Sequence, residues 1–180
     1  MTQQQEERKE ALADSLRDLL KHEAIEKVTV DQICQEAKVH RSTFYRYFTD
    51  KYDLMYYSFE RLMIARIDEN NVIDSIIEII VNDKELFRNV SINNNNGTLF
   101  WMMVKMLSCQ LLKADEEGRL HSIGWVQRAI ESSTNKELTA KMISGACLTL
   151  MFEWIDSNYQ MSPKELSEFV KNMKHLSVSY

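Results

Sequence analysis

Arg41, Ser42, Thr43, Tyr45, Arg46 and Tyr47 place two cations, two hydroxyls and two phenols within seven consecutive positions. Those groups suit the edges of a nucleic-acid duplex: an Arg fork spans two acceptors of a guanine, Ser and Thr hydroxyls serve bases or phosphates, and Tyr adds a hydroxyl and a ring face. Between residues 38 and 51 stand Lys38, Arg41, Arg46 and Lys51 against one acid, Asp50. The whole 180-residue chain carries a formal net charge of −5. A basic patch on an acidic body attracts a polyanion and also orients the encounter, so overall acidity does not exclude DNA. Taken without context, such a helix is more often a solvated surface; the spacing of its neighbours is what favours groove reading.

Phe44 and Phe48 lie four residues apart and therefore share one helical face, leaving the polar groups to the other. Upstream, Thr29 and Gln32 have the spacing of a reciprocal N-terminal cap, and Ile33, Ala37 and Val39 supply an inward face. Residues 29–54 thus read as two short helices around a tight turn, a helix-turn-helix. Residues 6–25, with Leu12, Leu16, Leu19, Leu20 and Ile25 in one stripe, predict a third helix behind them. Past Asp50, the series Leu54, Met55, Ser58, Phe59, Leu62 and Ile67 continues a helical pattern. That helix is expected to be the mechanical connector, whose tilt swings the reading helix.

Residues 28–54 resemble the DNA-binding domain of TetR/AcrR-type transcriptional regulators. The resemblance is carried by Thr29, the turn Ala37-Lys38-Val39-His40, the run Thr43-Phe44-Tyr45-Arg46-Tyr47-Phe48, and Lys51-Tyr52-Asp53-Leu54. It implies phosphate contacts from Thr29, Tyr47 and Lys51, and base-facing positions at Arg41, Ser42, Thr43, Tyr45 and Arg46. Two residues depart from the family pattern. Lys38 stands where the turn usually has glycine, and a positive φ there costs its Cβ on the order of 1 kcal/mol. His40 replaces the usual serine and is a weaker cap. Both flank the reading helix, and Lys38 and His40 complete the expected DNA-contacting set.

Four Gly and one Pro in 180 residues favour an all-α protein with short connections. The expected division is a three-helix DNA-binding domain over residues 1–53 and a larger helical regulatory and dimerisation domain over 54–180. Cys34, Cys109 and Cys147 are odd in number and widely spaced, which suggests buried thiols rather than a disulfide framework or zinc site. His22, His40, His121 and His175 have no metal-ligand spacing, so neither a metal nor a cofactor is expected. The N-terminus is Gln- and Glu-rich, and no uninterrupted apolar run reaches the ~18 residues that span a bilayer. A cytoplasmic protein without a membrane partner is the expectation.

Further helices are predicted near 70–82, 83–90, 98–114, 119–131, 136–158 and 162–176, with a loop from Ser91 to Gly97 marked by Asn93–Asn96. Residues 142–155 are apolar nearly all round, which requires cover on more than one side. Gly145 and Ala146 permit close approach, and Ser162-Pro163-Lys164-Glu165 reads as a capped helix start. A homodimer interface is expected from Met142, Gly145, Ala146, Thr149, Leu166, Phe169, Val170 and Met173. The family resemblance implies the same, since its members usually dimerise through their last two helices. Residues 144–170 also resemble a subgroup similar to dihydroxyacetone-kinase operon activators. The alternative is that both helices only finish a monomeric core.

Phe87, Phe100, Trp101, Met103, Met106, Trp125, Met151 and Trp154 are large, adaptable side chains of the kind that line apolar ligand sites, although such residues at helical spacing are more often core. Lys105 and Glu153 interrupt apolar runs and would be costly if buried alone, so they join the candidate pocket. Pairing within the fold or reaching to water would also satisfy them. No nucleophile elbow, phosphate loop or paired metal-ligand motif is present, so no catalytic residue is expected. The leading expectation is a DNA-binding regulator, acting on double-stranded palindromic DNA as a homodimeric, ligand-responsive repressor. The rival is a helical interaction protein or co-regulator-dependent activator whose C-terminal part docks a protein instead of a small effector.

Overall fold

In the computed structural model, which describes residues 3–91 and 97–173, the sequence folds as ten α-helices, with no strand among the described residues. These are α1 (Gln3–Leu20), α2 (Val30–Glu36), α3 (Arg41–Tyr47), α4 (Lys51–Leu62), α5 (Val72–Asn82), α6 (Lys84–Ser91), α7 (Thr98–Glu116), α8 (Gly124–Glu131), α9 (Lys136–Asp156) and α10 (Pro163–Asn172). One-turn 3-10 segments precede α5 at Ile64–Arg66 and α8 at His121–Ile123. The predicted Asn93–Asn96 turn, the end of the last predicted helix and His175 lie outside the described residues.

Local signals explain several boundaries. The Thr29 hydroxyl accepts the Gln32 N–H at 3.2 Å while the Gln32 side chain accepts the Thr29 N–H at 2.7 Å, the reciprocal cap that starts α2. Ser162 and Glu165 repeat the device at α10, with Pro163 at the first helical position. Asp50 starts α4 by accepting from the N–H groups of Tyr52 and Asp53. The first helix ends earlier than its apolar stripe, at Leu20; Ile25 lies in the following turn yet is fully buried. Likewise, α4 stops at Leu62 instead of running on to Ile67.

The chain forms two compact units, Met1–Ala65 with Asp83–Asn96, and Arg66–Asn82 with Gly97–Tyr180. In the first, α1 packs against α2, α4 and α6 around Leu12, Leu16, Ile25, Ile33, Phe44 and Leu54. Phe59 of α4 meets Phe87 of α6 edge-to-face, with ring centroids 6.1 Å apart. These units and the expected division at residue 53 are different partitions, because α4 and α6 share the first unit with the helix-turn-helix. In the second unit, α7 and α9 form the principal pair, α8 packs on α9, and α5 packs on α10. Burial of Leu99, Met106, Ile130, Ala140 and Leu166 makes its core.

By length and composition α9 alone among the described helices is apolar enough to cross a membrane. Ala140, Ile143, Leu148, Trp154 and Ile155 are buried within the unit, while Leu138 and Met142 are exposed.

Candidate nucleic-acid interface

Phe44 and Phe48 anchor α3. Both are buried, their ring centroids stand 5.9 Å apart, and Phe48 continues to the Tyr57 ring at 5.5 Å. Residues about 100° away on the helix must then face outward. Arg41, Ser42, Tyr45 and Arg46 are exposed, and Thr43 and Tyr47 are half-buried. Thr29, Lys38 and His40 are exposed around the start of the same helix.

The turn before α3 closes α2 with two bonds, from the Lys38 N–H to Gln35 O at 3.2 Å and from the Val39 N–H to Cys34 O at 3.0 Å. That pattern requires a left-handed residue, and Lys38 supplies it at φ 54°. His40 stands at the N-cap position of α3 without a side-chain capping bond, as its residue type suggests.

Arg41 is held in place by neighbours. Its guanidinium donates to the Asp31 carboxylate at 3.1 Å and to the Tyr45 hydroxyl at 3.3 Å, and lies 5.8 Å from the Tyr45 ring centre. The Tyr45 hydroxyl first, and then Asp31, favour the charged form still further. Asp31 escaped the sequence reading because helical periodicity says nothing of a contact between the starts of two different helices. Lys51, expected at a phosphate, has intramolecular partners in the unbound chain. Its ammonium donates to the carbonyls of Ile25, Glu26 and Val28 at 2.7, 3.0 and 2.7 Å.

The candidate pocket and interface residues regroup in the second unit. Phe100, Trp101 and Lys105, expected in a pocket, line a groove of about 710 Å³ together with Met142, Gly145, Ala146 and Thr149, expected in an interface. A second hollow, of about 810 Å³, joins Glu153 and Trp154 to Leu166 and Phe169. Met103 and Met106 are buried in the core, Met151 is half-buried, and Phe87 belongs to the first unit. Lys105 and Glu153 are exposed, so neither bears the burial cost that singled them out. On α10, Leu166 and Val170 are buried within the protomer, Phe169 is half exposed, and Met173 is half-buried. A helix has one face turned to its own core, and Leu166 and Val170, four residues apart, occupy it.

The Trp125 indole N–H and the hydroxyls of Ser122 and Ser144 are buried without hydrogen-bond partners among the described residues. The Trp154 indole instead donates to Met161 O at 2.7 Å. Of the three thiols, Cys34 is buried, Cys147 half-buried and Cys109 exposed, which corrects the expectation that all three are interior. No group of three His, Cys, Asp or Glu among the described residues converges as a metal site.

A chain whose described residues are all helical, with a helix-turn-helix near its start, a polar face on α3 and a second helical unit, has the architecture of a DNA-binding regulator. The family model described as bacterial regulatory proteins, tetR family, matches residues 12–56, and that of a transcriptional regulator C-terminal region matches residues 68–175. The chain belongs to the TetR family of DNA-binding transcriptional regulators, which are not enzymes. It is similar to the HTH-type dhaKLM operon transcriptional activator DhaS of Lactococcus lactis subsp. lactis (strain IL1403), at 33% identity over 60 residues. That match covers 33% of this chain and 32% of the relative's length. A solved structure of a dihydroxyacetone kinase operon activator DhaS shares the fold, with a TM-score of 0.58 at 18% identity, covering 95% of this chain and 96% of the other.

Proposed function

We propose that the protein is a cytoplasmic homodimer that reads a palindromic operator with α3 and represses transcription until a small effector shifts its population away from the DNA-competent spacing. The carrying observation is the division of α3 into a face buried through Phe44 and a face bearing Arg41, Ser42, Tyr45 and Arg46. A single reading helix contacts too few base pairs for operator specificity. Two copies about 34 Å apart reach successive major grooves on one side of the duplex.

The α7–α9 groove supports pairing of protomers, because it gathers exposed Trp101, Leu138 and Met142 beside Gly145, where a Cβ would meet nothing within 4 Å. Effector binding is supported by the buried, unpartnered polar atoms of Ser122, Trp125 and Ser144 in the second unit, which a polar ligand group could satisfy.

A second reading is an activator that works with a protein co-regulator; its activating half is favoured by the similarity to the dhaKLM operon transcriptional activator. One experiment addresses both readings. Purified protein is used to select fragments from its own genome at physiological salt, and the complex is then weighed by sedimentation. A palindrome bound by two chains and overlapping a promoter supports the repressor. A site upstream of the promoter, with transcription in vitro rising only on addition of a second protein, supports the activator. No enrichment over random fragments overturns the reading assigned to α3.

A further inference from the structure

Lys51 opens α4, yet its ammonium points back to the turn that leads into α2. It donates to Ile25 O, Glu26 O and Val28 O, and an ammonium has three N–H groups, so its donor capacity is filled. Burial lowers the Lys51 pKa, against the opposing pull of the Glu26 and Asp50 carboxylates. The same turn is gripped from a second helix. The Asn89 amide of α6 donates to Leu20 O at 2.9 Å, and its main-chain carbonyl accepts the Ile25 N–H at 3.2 Å. Val28, the last of the three residues whose carbonyls accept from Lys51, immediately precedes Thr29, whose hydroxyl caps α2. The start of α2, and through the Lys38 turn the start of α3, therefore inherits its position from this bracket.

We propose that Lys51 is a positioning residue for DNA reading, locking the Ile25–Val28 turn to the start of α4 so that the helix-turn-helix and its connector move as one piece, and that it does not serve as a phosphate contact. This rests on α3 being the reading helix. To reach a phosphate, the ammonium has to give up three converging carbonyls, of which those of Ile25 and Val28 are partly buried and lose a charged donor. A guanidinium does not substitute: its planar fork matches a carboxylate or phosphate, whereas three converging carbonyls match the compact, rotatable ammonium.

The test compares the full-length protein with Lys51→Arg and Lys51→Met. Each is measured for melting temperature and for affinity toward the duplex the wild type selects and a scrambled duplex of equal length, across a salt series. Both variants should melt lower, and both should lose on the order of tenfold in the ratio of selected to scrambled affinity, while the slope of log affinity against log salt stays at the wild-type value.

If Lys51→Arg behaves as wild type and Lys51→Met flattens the slope by about 0.9, Lys51 is a phosphate contact and the proposal falls. It falls equally if melting drops in both variants with the affinity ratio unchanged, since that describes a stabilising residue without a role in reading. Should Lys51→Met not fold, a pure phosphate role is already excluded, and the ratio measured for Lys51→Arg decides positioning. A wild-type protein that selects no duplex overturns the reading assignment itself, a failure seen before any variant is compared.

Discussion

The Asp31 carboxylate at the start of α2 stands 3.1 Å from the Arg41 guanidinium at the start of α3, both on an exposed face. An acid repels phosphates, so under the proposed reading of α3 its presence beside Arg41 would separate two kinds of binding. Solvent screens the pair strongly, and its worth to folding is small. If α3 reads DNA as proposed, the pair's worth to recognition is to hold the Arg41 fork in one orientation while opposing indiscriminate attraction to the backbone.

Asp31→Asn keeps the shape and removes the charge. Binding to scrambled duplex should tighten more than binding to the selected duplex, so the ratio of the two falls in salt-controlled titrations. Arg41→Ala, by contrast, should relax preference at one base pair by about 1–3 kcal/mol and leave the others unchanged. Equal tightening on both duplexes for Asp31→Asn would reduce Asp31 to a repulsive charge.

Lys38→Gly should relieve the left-handed strain at φ 54°, a gain of up to about 1 kcal/mol. In a protein of this size that is a rise of roughly 2–4 °C in melting temperature. The same change removes a cation beside α3, so the salt slope of DNA binding should flatten by about 0.9 if Lys38 meets a phosphate. Calorimetry and band-shift titration read the two effects separately. An unchanged or lower melting temperature would show that the entropy glycine adds to the unfolded chain outweighs the strain.

Asp74 of α5 accepts from Lys171 at 2.6 Å and from the buried Ser167 hydroxyl, both on α10. Lys171 first and Ser167 second hold its carboxyl below the ordinary carboxylate range. A depressed folded pKa contributes stability that is fully present above the unfolded value, about 3.9, and is lost as pH falls through the folded value. Denaturant titrations from pH 6 downward should therefore show a component of acid destabilisation below about pH 4 that Asp74→Asn lacks. Parallel profiles for the two proteins would remove this pair from the acid response.

Met142 is 67% exposed and Trp101 68%, on the two helices that border one groove. Met142→Glu puts a charge into that groove without touching the buried side of α9. Sedimentation should show a shift toward single chains and a matching loss of affinity for a two-half-site duplex, with a single half-site bound as before. An unchanged mass would move the pairing surface away from α7 and α9.

Short-range chemistry was readable in the sequence wherever a side chain answers its own backbone. The Thr29–Gln32 and Ser162–Glu165 caps and the Phe44–Phe48 face follow from residues within four positions of one another, while the left-handed turn at Lys38 was legible only through the family resemblance. What escaped was set by long-range partners. The end of α1 at Leu20 coincides with a carbonyl given to Asn89, 69 residues away, and the ammonium of Lys51 is spent on carbonyls 23 to 26 residues upstream. The candidate pocket and interface sets partly merged because α7 and α9 lie side by side, so one groove takes residues from both. Exposure of Lys105 and Glu153 was hidden for the same reason: an apolar run does not say which of its members faces the core.

The first compact unit is not a contiguous stretch of chain, since α6 belongs to it while α5, ending one residue before Asp83, belongs to the other. A reading head grafted onto a foreign sensor by splicing at residue 65 would leave behind Asn89, the partner of Leu20 and Ile25, and Phe87, the ring against Phe59. Exchange of specificities between relatives of this chain is therefore constrained to cuts that carry α6 along with α1 to α4. Chimeras that respect that rule should keep their melting temperature, and those that ignore it should become substrates for proteolysis.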